Sequence, residues 1–211
     1  MADEIVLYRS VGSRSFTSLW MLEELGLPYR METRDLRKGE NRNPDYLKLN
    51  PMGKVPTLML GDVVVWENPA ICMLLADRYG YGTLAPRIEE ADRGAYLQWM
   101  VFATSVLEPA RALREVNIDT PPGAWGGGWG TMDQVTEVLI GALRGRSFLL
   151  GERFSAADVM LGSTISVSLF TNTLPADPVL TAYNDRISAR PACQKASALN
   201  WPPELFPPSP A

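Results

Sequence analysis

VPTLMLGDVVVWENPAICMLLADRYG, residues 55–80, decides the fold of this chain. Two apolar runs joined by Gly61-Asp62 predict a β-hairpin, and NPAICMLLADRYG after it predicts a helix that stops at Gly80. Reading back toward the N-terminus, IVLY at 5–8 is a short apolar strand followed by a Gly- and Ser-containing turn. From Ser15 to Leu25, apolar residues at Phe16, Leu19, Trp20, Met21, Leu22 and Leu25 predict a helix stopped by Gly26. PYRMETRDL from Pro28 predicts a second strand, RKGENRN a surface loop, and DYLKLNP a short helix broken at Pro51.

The order is therefore β-α-β-α-β-β-α, a strand-helix-strand half joined to a hairpin-helix half. That is the arrangement of a thioredoxin-like domain, although unrelated α/β folds share it. YGTLAPRIEE, with Pro86, reads as a linker. Beyond it the pattern is helical only. DRGAYLQWMVFATSVLEPARALREV, 92–116, keeps helical spacing at Tyr96, Trp99, Met100, Ala103, Val106 and Leu107, and further helices are predicted over 131–144, 156–171 and 176–189. TPPGAWGGGWG at 120–130 is too rich in Pro and Gly for a helix and reads as a loop pinned by Trp125 and Trp129, or as a flap over a substrate. The tail WPPELFPPSPA is too proline-dense to be helical. The expected class is α/β plus all-α: a thioredoxin-like domain at 1–81, a linker at 82–90 and an all-helical domain at 91–211.

Composition narrows the chemistry. With 20 Lys+Arg against 24 Asp+Glu and a net charge of −4, the chain offers no basic footprint for nucleic acid and no polybasic run for anionic lipid. Neither a signal peptide nor a membrane span of roughly 18 apolar residues is legible, so a cytoplasmic location is expected. The two cysteines, Cys72 and Cys193, fall in helical segments and read as core or surface thiols rather than a disulfide framework or metal site. The chain has no histidine, which removes the usual general base and zinc ligand; no metal is expected. Any chemistry must use hydroxyls, carboxylates, cations or a bound molecule's own reactive group.

Three local features carry such chemistry. Gly12-Ser13-Arg14-Ser15 lies between the first strand and helix, where unpaired N–H groups and the helix dipole favour an anion. A serine hydroxyl there either caps the helix or donates to a thiolate, lowering the sulfur pKa. In Gly53-Lys54-Val55-Pro56-Thr57 a proline opens a strand, as an ordinary trans residue or as a cis one that frees the Val55 backbone to pair with an extended peptide. In Trp66-Glu67-Asn68-Pro69, Asn68 reads as an N-cap and Pro69 as the first helical residue. Glu67, beside exposed helix N–H groups, suits the paired charges of an α-amino acid terminus.

The order and spacing of these features resemble the cytosolic glutathione transferases. The resemblance is carried by LYRSVGSRSFTSLWMLEELGLPY at 7–29, LNPMGKVPTL at 49–58, ENPAICMLLADRYG at 67–80, GERFSAAD at 151–158 and RISARPACQKA at 186–196, and so spans nearly the whole chain. It implies glutathione as co-substrate, with its γ-glutamyl end at Glu67 and Asn68, its cysteinyl backbone at Val55 and Pro56, and its glycine carboxylate at Lys54. Asn68 departs from the family's usual serine, although an amide can also donate. The family activates the thiol with tyrosine, serine or cysteine. No cysteine lies in this loop, so the cysteine-type mechanism is not expected. The resemblance implies a bacterial-type member with a serine-like site, in which alignment of the Gly-Ser step with the serine classes selects Ser13 first and Ser15 second, with Arg14 as an assisting cation and Tyr8 more in keeping with a strand-face role.

The resemblance further implies a hydrophobic substrate pocket with Ser10, Val11, Trp99, Phe102 and Val106, where core packing is an equal reading, a structural capping box of Ser155 and Asp158, and a homodimer. The expected reaction is conjugation of the glutathione thiolate to an electrophilic, largely apolar small molecule. Glutathione-dependent isomerisation, peroxide reduction, dehalogenation or ether cleavage, and non-catalytic binding, use the same fold.

Overall fold

The structure is a computed structural model that describes residues 4–118, 128–202 and 204–205. The predicted loop at 120–130 lies mostly outside the described residues, including Trp125, as does most of the tail.

Two compact units form, Met1–Tyr79 with Arg190–Ala211, and Gly80–Ala189. In the first, β1 (Ile5–Arg9) is followed by α1 (Ser15–Leu25), β2 (Arg30–Thr33), α2 (Pro44–Leu49), β3 (Thr57–Leu60), β4 (Val63–Trp66) and α3 (Asn68–Tyr79). The sheet order is β2-β1-β3-β4, with β1 and β2 parallel and the rest antiparallel, a thioredoxin-like domain. β1 is central, so Ile5, Val6 and Leu7 are all buried and the strand reads as a continuous apolar run. α1 packs against both α3 and α9 (Pro191–Asn200), which is why Leu19, Trp20, Met21 and Leu22 are all fully buried and no polar stripe interrupts them.

The helix α9 lies beyond the last helix bounded from the sequence, 176–189, in the stretch where Cys193 already reads as helical. Arg190 is extended (ψ 133), as a residue before proline prefers, and Pro191 opens a new helix at N1. That helix belongs with the first unit. Arg190 forms a two-pronged ion pair with the buried Glu24 at 2.7 Å on both oxygens, and Lys195 meets Glu23 at 2.7 Å. Chain order, which suggests consecutive domains at 1–81 and 91–211, therefore does not follow compactness.

In the second unit, the stretch predicted as one helix over 92–116 is α4 (Arg93–Phe102), a π-helical turn (Ala103–Leu107) and α5 (Glu108–Glu115). Pro109 supplies no N–H and its ring crowds the carbonyl four residues back, so the ladder changes register there. α6 (Met132–Leu143), α7 (Ala156–Phe170) and α8 (Pro178–Ser188) complete the unit. α7 is the buried helix, with Ala156, Ala157, Val159, Met160, Leu161 and Ile165 in the core.

The fully buried Asp158 carboxylate organises its start. One oxygen accepts from the Ser155 N–H (2.9 Å) and hydroxyl (3.1 Å), the other from the Leu149 N–H (2.9 Å) and the Tyr183 hydroxyl (3.0 Å), and Ser155 and Asp158 close a capping box. Gly162 lets α8 approach: a β-carbon there would stand 2.5 Å from Ile187 Cδ1 and 3.3 Å from Tyr183 Oη. Gly162→Ala is expected to destabilise the protein by about 1–3 kcal/mol through overpacking against a fully buried isoleucine, read from a lower urea midpoint at unchanged slope.

Candidate functional site

Strand register brings the three sequence features to one end of one sheet. Tyr8 near the end of β1 lies opposite Thr57 at the start of β3, and Thr57 lies opposite Trp66 at the end of β4. The loop after β1, the Val55-Pro56 step before β3 and Glu67-Asn68 after β4 must therefore share that edge.

In the first feature, Gly12 adopts φ 66. The Ser13 hydroxyl accepts from the Ser15 N–H at 3.2 Å and stands 2.7 Å from the Ser10 carbonyl and 2.9 Å from the Ser15 hydroxyl, to either of which it can donate. The Ser15 side chain is fully buried, whereas Ser13 is half-buried, so an outside molecule meets Ser13. Arg14 is exposed, Ser10 is buried and Val11 half-buried.

The second feature is a rigid turn. The Val55-Pro56 peptide is cis. The Lys54 carbonyl accepts from the Tyr46 hydroxyl at 2.5 Å and from Asn50 Nδ2 at 3.0 Å, and both donors also reach the Thr57 hydroxyl, at 2.9 and 3.2 Å. Asn41 Nδ2 holds the Gly53 carbonyl at 2.7 Å. The Lys54 side chain is exposed. Among the described residues no hydrogen bond reaches the Val55 backbone, which leaves an N–H and a carbonyl for an added strand.

In the third feature, Glu67 is exposed and sits at φ 77, a left-handed conformation that costs a non-glycine residue about 1–3 kcal/mol and clusters at ligand clamps. Asn68 corrects the sequence reading of an N-cap. The Glu67 carbonyl accepts the Ile71 N–H and so begins the helix, while the buried Asn68 side chain crosses to α1: its Oδ1 accepts from the Ser18 hydroxyl at 2.6 Å and its Nδ2 donates to the Arg14 carbonyl at 3.0 Å. A serine is too short to span both. Asn68 thus ties the start of α3 to the loop that bears Ser13.

Several participants escape a reading of the sequence. Tyr46, Asn50 and Thr57 lock the turn before β3, but nothing in their local sequence sets them apart from ordinary helix and strand residues. Asn200 of α9 reaches the β1–α1 loop, a contact that no local pattern encodes. Tyr8 is half-buried, its ring 5.7 Å from that of Tyr46, and the Arg34 guanidinium lies 5.1 Å from the Tyr8 ring and 5.8 Å from that of Tyr46.

In the helical unit, Trp99 is buried edge-on to Phe102 at 5.3 Å, and Phe102 and Val106 are half-buried. Burial pushes the thiols of Cys72 and Cys193 up to about 12, so both remain protonated at neutral pH and neither is a ready nucleophile. Among the described residues no cluster of acidic and thiol groups could hold a metal, and no helix is long and apolar enough to cross a membrane.

The family model for the glutathione S-transferase N-terminal domain matches residues 13–78. A protein of Oryza sativa subsp. japonica named probable glutathione S-transferase GSTF2 is 30% identical over 199 residues, which cover 87% of this chain and 90% of that one. Glutathione S-transferase GstB of Escherichia coli strain K12 is 30% identical over 191 residues, 84% of this chain and 89% of its own. The crystal structure of the theta class glutathione S-transferase from the citrus canker pathogen Xanthomonas axonopodis pv. citri, with glutathione bound, superposes with a TM-score of 0.75 at 32% identity, covering 92% of this chain and 97% of that one.

Proposed function

The chain belongs to the glutathione S-transferase family, and we propose that it binds glutathione at the shared sheet edge and transfers its thiolate to an electrophilic carbon of a largely apolar small molecule. The observation that carries this reading is the register that gathers the Ser13 loop, the free Val55 backbone and the left-handed Glu67 at one edge.

Each part of the tripeptide has a matching group. The Glu67 carboxylate faces the γ-glutamyl ammonium, and the adjoining carboxylate meets the unpaired N–H groups of the first turn of α3, because the Asn68 side chain is already committed to α1. The Val55 backbone pairs with the cysteinyl unit, and the exposed Lys54 ammonium meets the glycine carboxylate.

Ser13 then acts on the sulfur. Its oxygen already accepts the Ser15 N–H, which polarises its own O–H, and its proton turns from the Ser10 carbonyl to the thiolate. Arg14 adds a cation nearby. The thiol proton leaves to solvent, the sulfur forms a bond to carbon, and the leaving group departs with the electron pair of the bond that breaks. The protein contributes position and thiolate stabilisation, with no covalent link to itself. Trp99, Phe102 and Val106 are proposed to receive the apolar substrate.

The same proposal makes this a bacterial-type, serine-like, cytoplasmic homodimer. The exposed Val63, Val64 and Trp66 of the edge strand β4 support self-association, which light scattering would read directly. Retention on immobilised glutathione together with conjugation of a generic aryl halide tests the function. A protein that neither binds glutathione nor develops the ultraviolet absorbance of its thiolate is not this enzyme. Glu67→Gln is expected to weaken glutathione binding about tenfold by removing the charge that faces the ammonium, read as a rise in KM for glutathione with kcat nearly unchanged.

A further inference from the structure

We infer that Asn200, the last residue of α9, is a positioning residue for the thiol-activating loop; this rests on the reading that the glutathione thiolate lies at Gly12–Ser13. Asn200 grips two consecutive residues of that loop. Its carbonyl accepts the Gly12 N–H at 2.8 Å, and its Nδ2 donates to the Ser13 carbonyl at 3.1 Å. The same Ser13 carbonyl accepts the Phe16 N–H at 3.2 Å, so the peptide that carries the serine is fixed between α1 and α9. Gly12 stands at φ 66, in the left-handed region, where the chain turns to present Ser13.

The amide of Asn200 is a poor choice for packing alone. It is fully buried, yet its Oδ1 has no hydrogen-bond partner among the described residues. Burying half an amide unpaired is unfavourable. What its side chain does is hold Ser13.

The grip is rigid because α9 is anchored along its length. Arg190 pairs with Glu24 through two oxygens at 2.7 Å, Lys195 with Glu23 at 2.7 Å, and both glutamates are buried, with side chains 6% and 7% exposed. At the far end, the buried Arg9 of β1 donates to the Leu199 carbonyl at 3.1 Å, and the ring of Trp201 packs 4.7 Å from that of Phe16. A shift of α9 along α1 would break all of these together, so the helix acts as a strut between the body of the unit and the loop.

Asn200→Leu tests this with the same number of side-chain heavy atoms and the same branching, and it removes the unpaired oxygen along with the amide. The melting temperature is expected to stay within a few degrees of wild type. Bound glutathione is expected to show a thiol pKa about one unit higher and kcat for aryl halide conjugation about tenfold lower, with KM for glutathione within about threefold. The double variant with Ser13→Ala should shift the pKa no further than the larger single variant, since both act through one hydroxyl.

A folded Asn200→Leu protein with unchanged thiol pKa and kcat overturns the inference. Should that variant not fold, Asn200→Ser carries the same measurement, and an unchanged thiol pKa and kcat there overturn the inference equally. If Ser13→Ala leaves the thiol pKa unmoved while Asn200→Leu raises it, the hydroxyl assignment falls and the strut stands, acting through the loop backbone. If wild type binds no glutathione, the functional reading falls and the inference with it.

Discussion

Asp158→Ala should lower the unfolding free energy by about 3–5 kcal/mol, the largest loss expected of a single substitution outside the active site. The reason is a count of stranded donors. Removing the carboxylate leaves the Leu149 and Ser155 N–H groups and two hydroxyls, from Ser155 and Tyr183, in a buried pocket. Each orphaned backbone donor costs about 1–3 kcal/mol, and the rotatable hydroxyls less because they can turn to other acceptors. Ser155→Ala removes one hydroxyl and should cost only about 1 kcal/mol. Urea unfolding of both variants separates the two, and near-equal losses would show that the carboxylate is not the hub.

The same residue sets a pH dependence. Burial pushes the Asp158 carboxyl up to about 6, against the four hydrogen bonds that pull it down. Its folded pKa thus lies above the value of about 3.9 expected when unfolded, and the folded state holds the proton more tightly. The stability due to that proton is fully present below about pH 4 and is lost as the pH rises through 6. Relative to Asp158→Asn, which does not titrate, the advantage of wild type should shrink across that window and level off above it. A difference that grows with pH would mean that the four donors outweigh burial.

Ser13→Ala should lower kcat for aryl halide conjugation by about 10- to 100-fold and raise the pKa of bound glutathione by about one to two units. A hydrogen bond to a charged acceptor is worth about 1.5–3 kcal/mol, and each pKa unit corresponds to about 1.4 kcal/mol. Glutathione affinity should stay within about tenfold, because the hydroxyl acts on the thiolate more than on the neutral peptide. Ser15→Ala should do much less to the thiol, since its buried side chain meets the Ser13 hydroxyl rather than an outside molecule. An effect of Ser15→Ala as large as that of Ser13→Ala, or no effect of either, would move the role to Arg14 or to backbone N–H groups.

The secondary structure of the first 80 residues is legible because it is locally encoded. Alternating turn residues and apolar runs place the strands, and Gly26, Gly61 and Gly80 punctuate them. The capping box is legible for the same reason: Ser155 and Asp158 stand three residues apart, and their bonds close within one helical turn. Pro109 breaking the helix at 92–116 and Pro191 opening α9 are written in the sequence but show their effect only where the neighbouring turns have to accommodate them.

What the sequence by itself determined is the elements of the first 80 residues, their order and the three local features that could meet a peptide. Tertiary structure decided which of those side chains remain available. Asn68 reads locally as a cap and is instead spent on Ser18 and Arg14, fifty or more positions away. Resemblance ranks Ser13 ahead of Ser15, and burial gives a physical reason to separate them. Asn200 acquires its place only because α9 returns to α1 from the other end of the chain. Short-range bonds are fixed by residue type and spacing, whereas the partner of a buried polar group is fixed by whatever the fold packs against it.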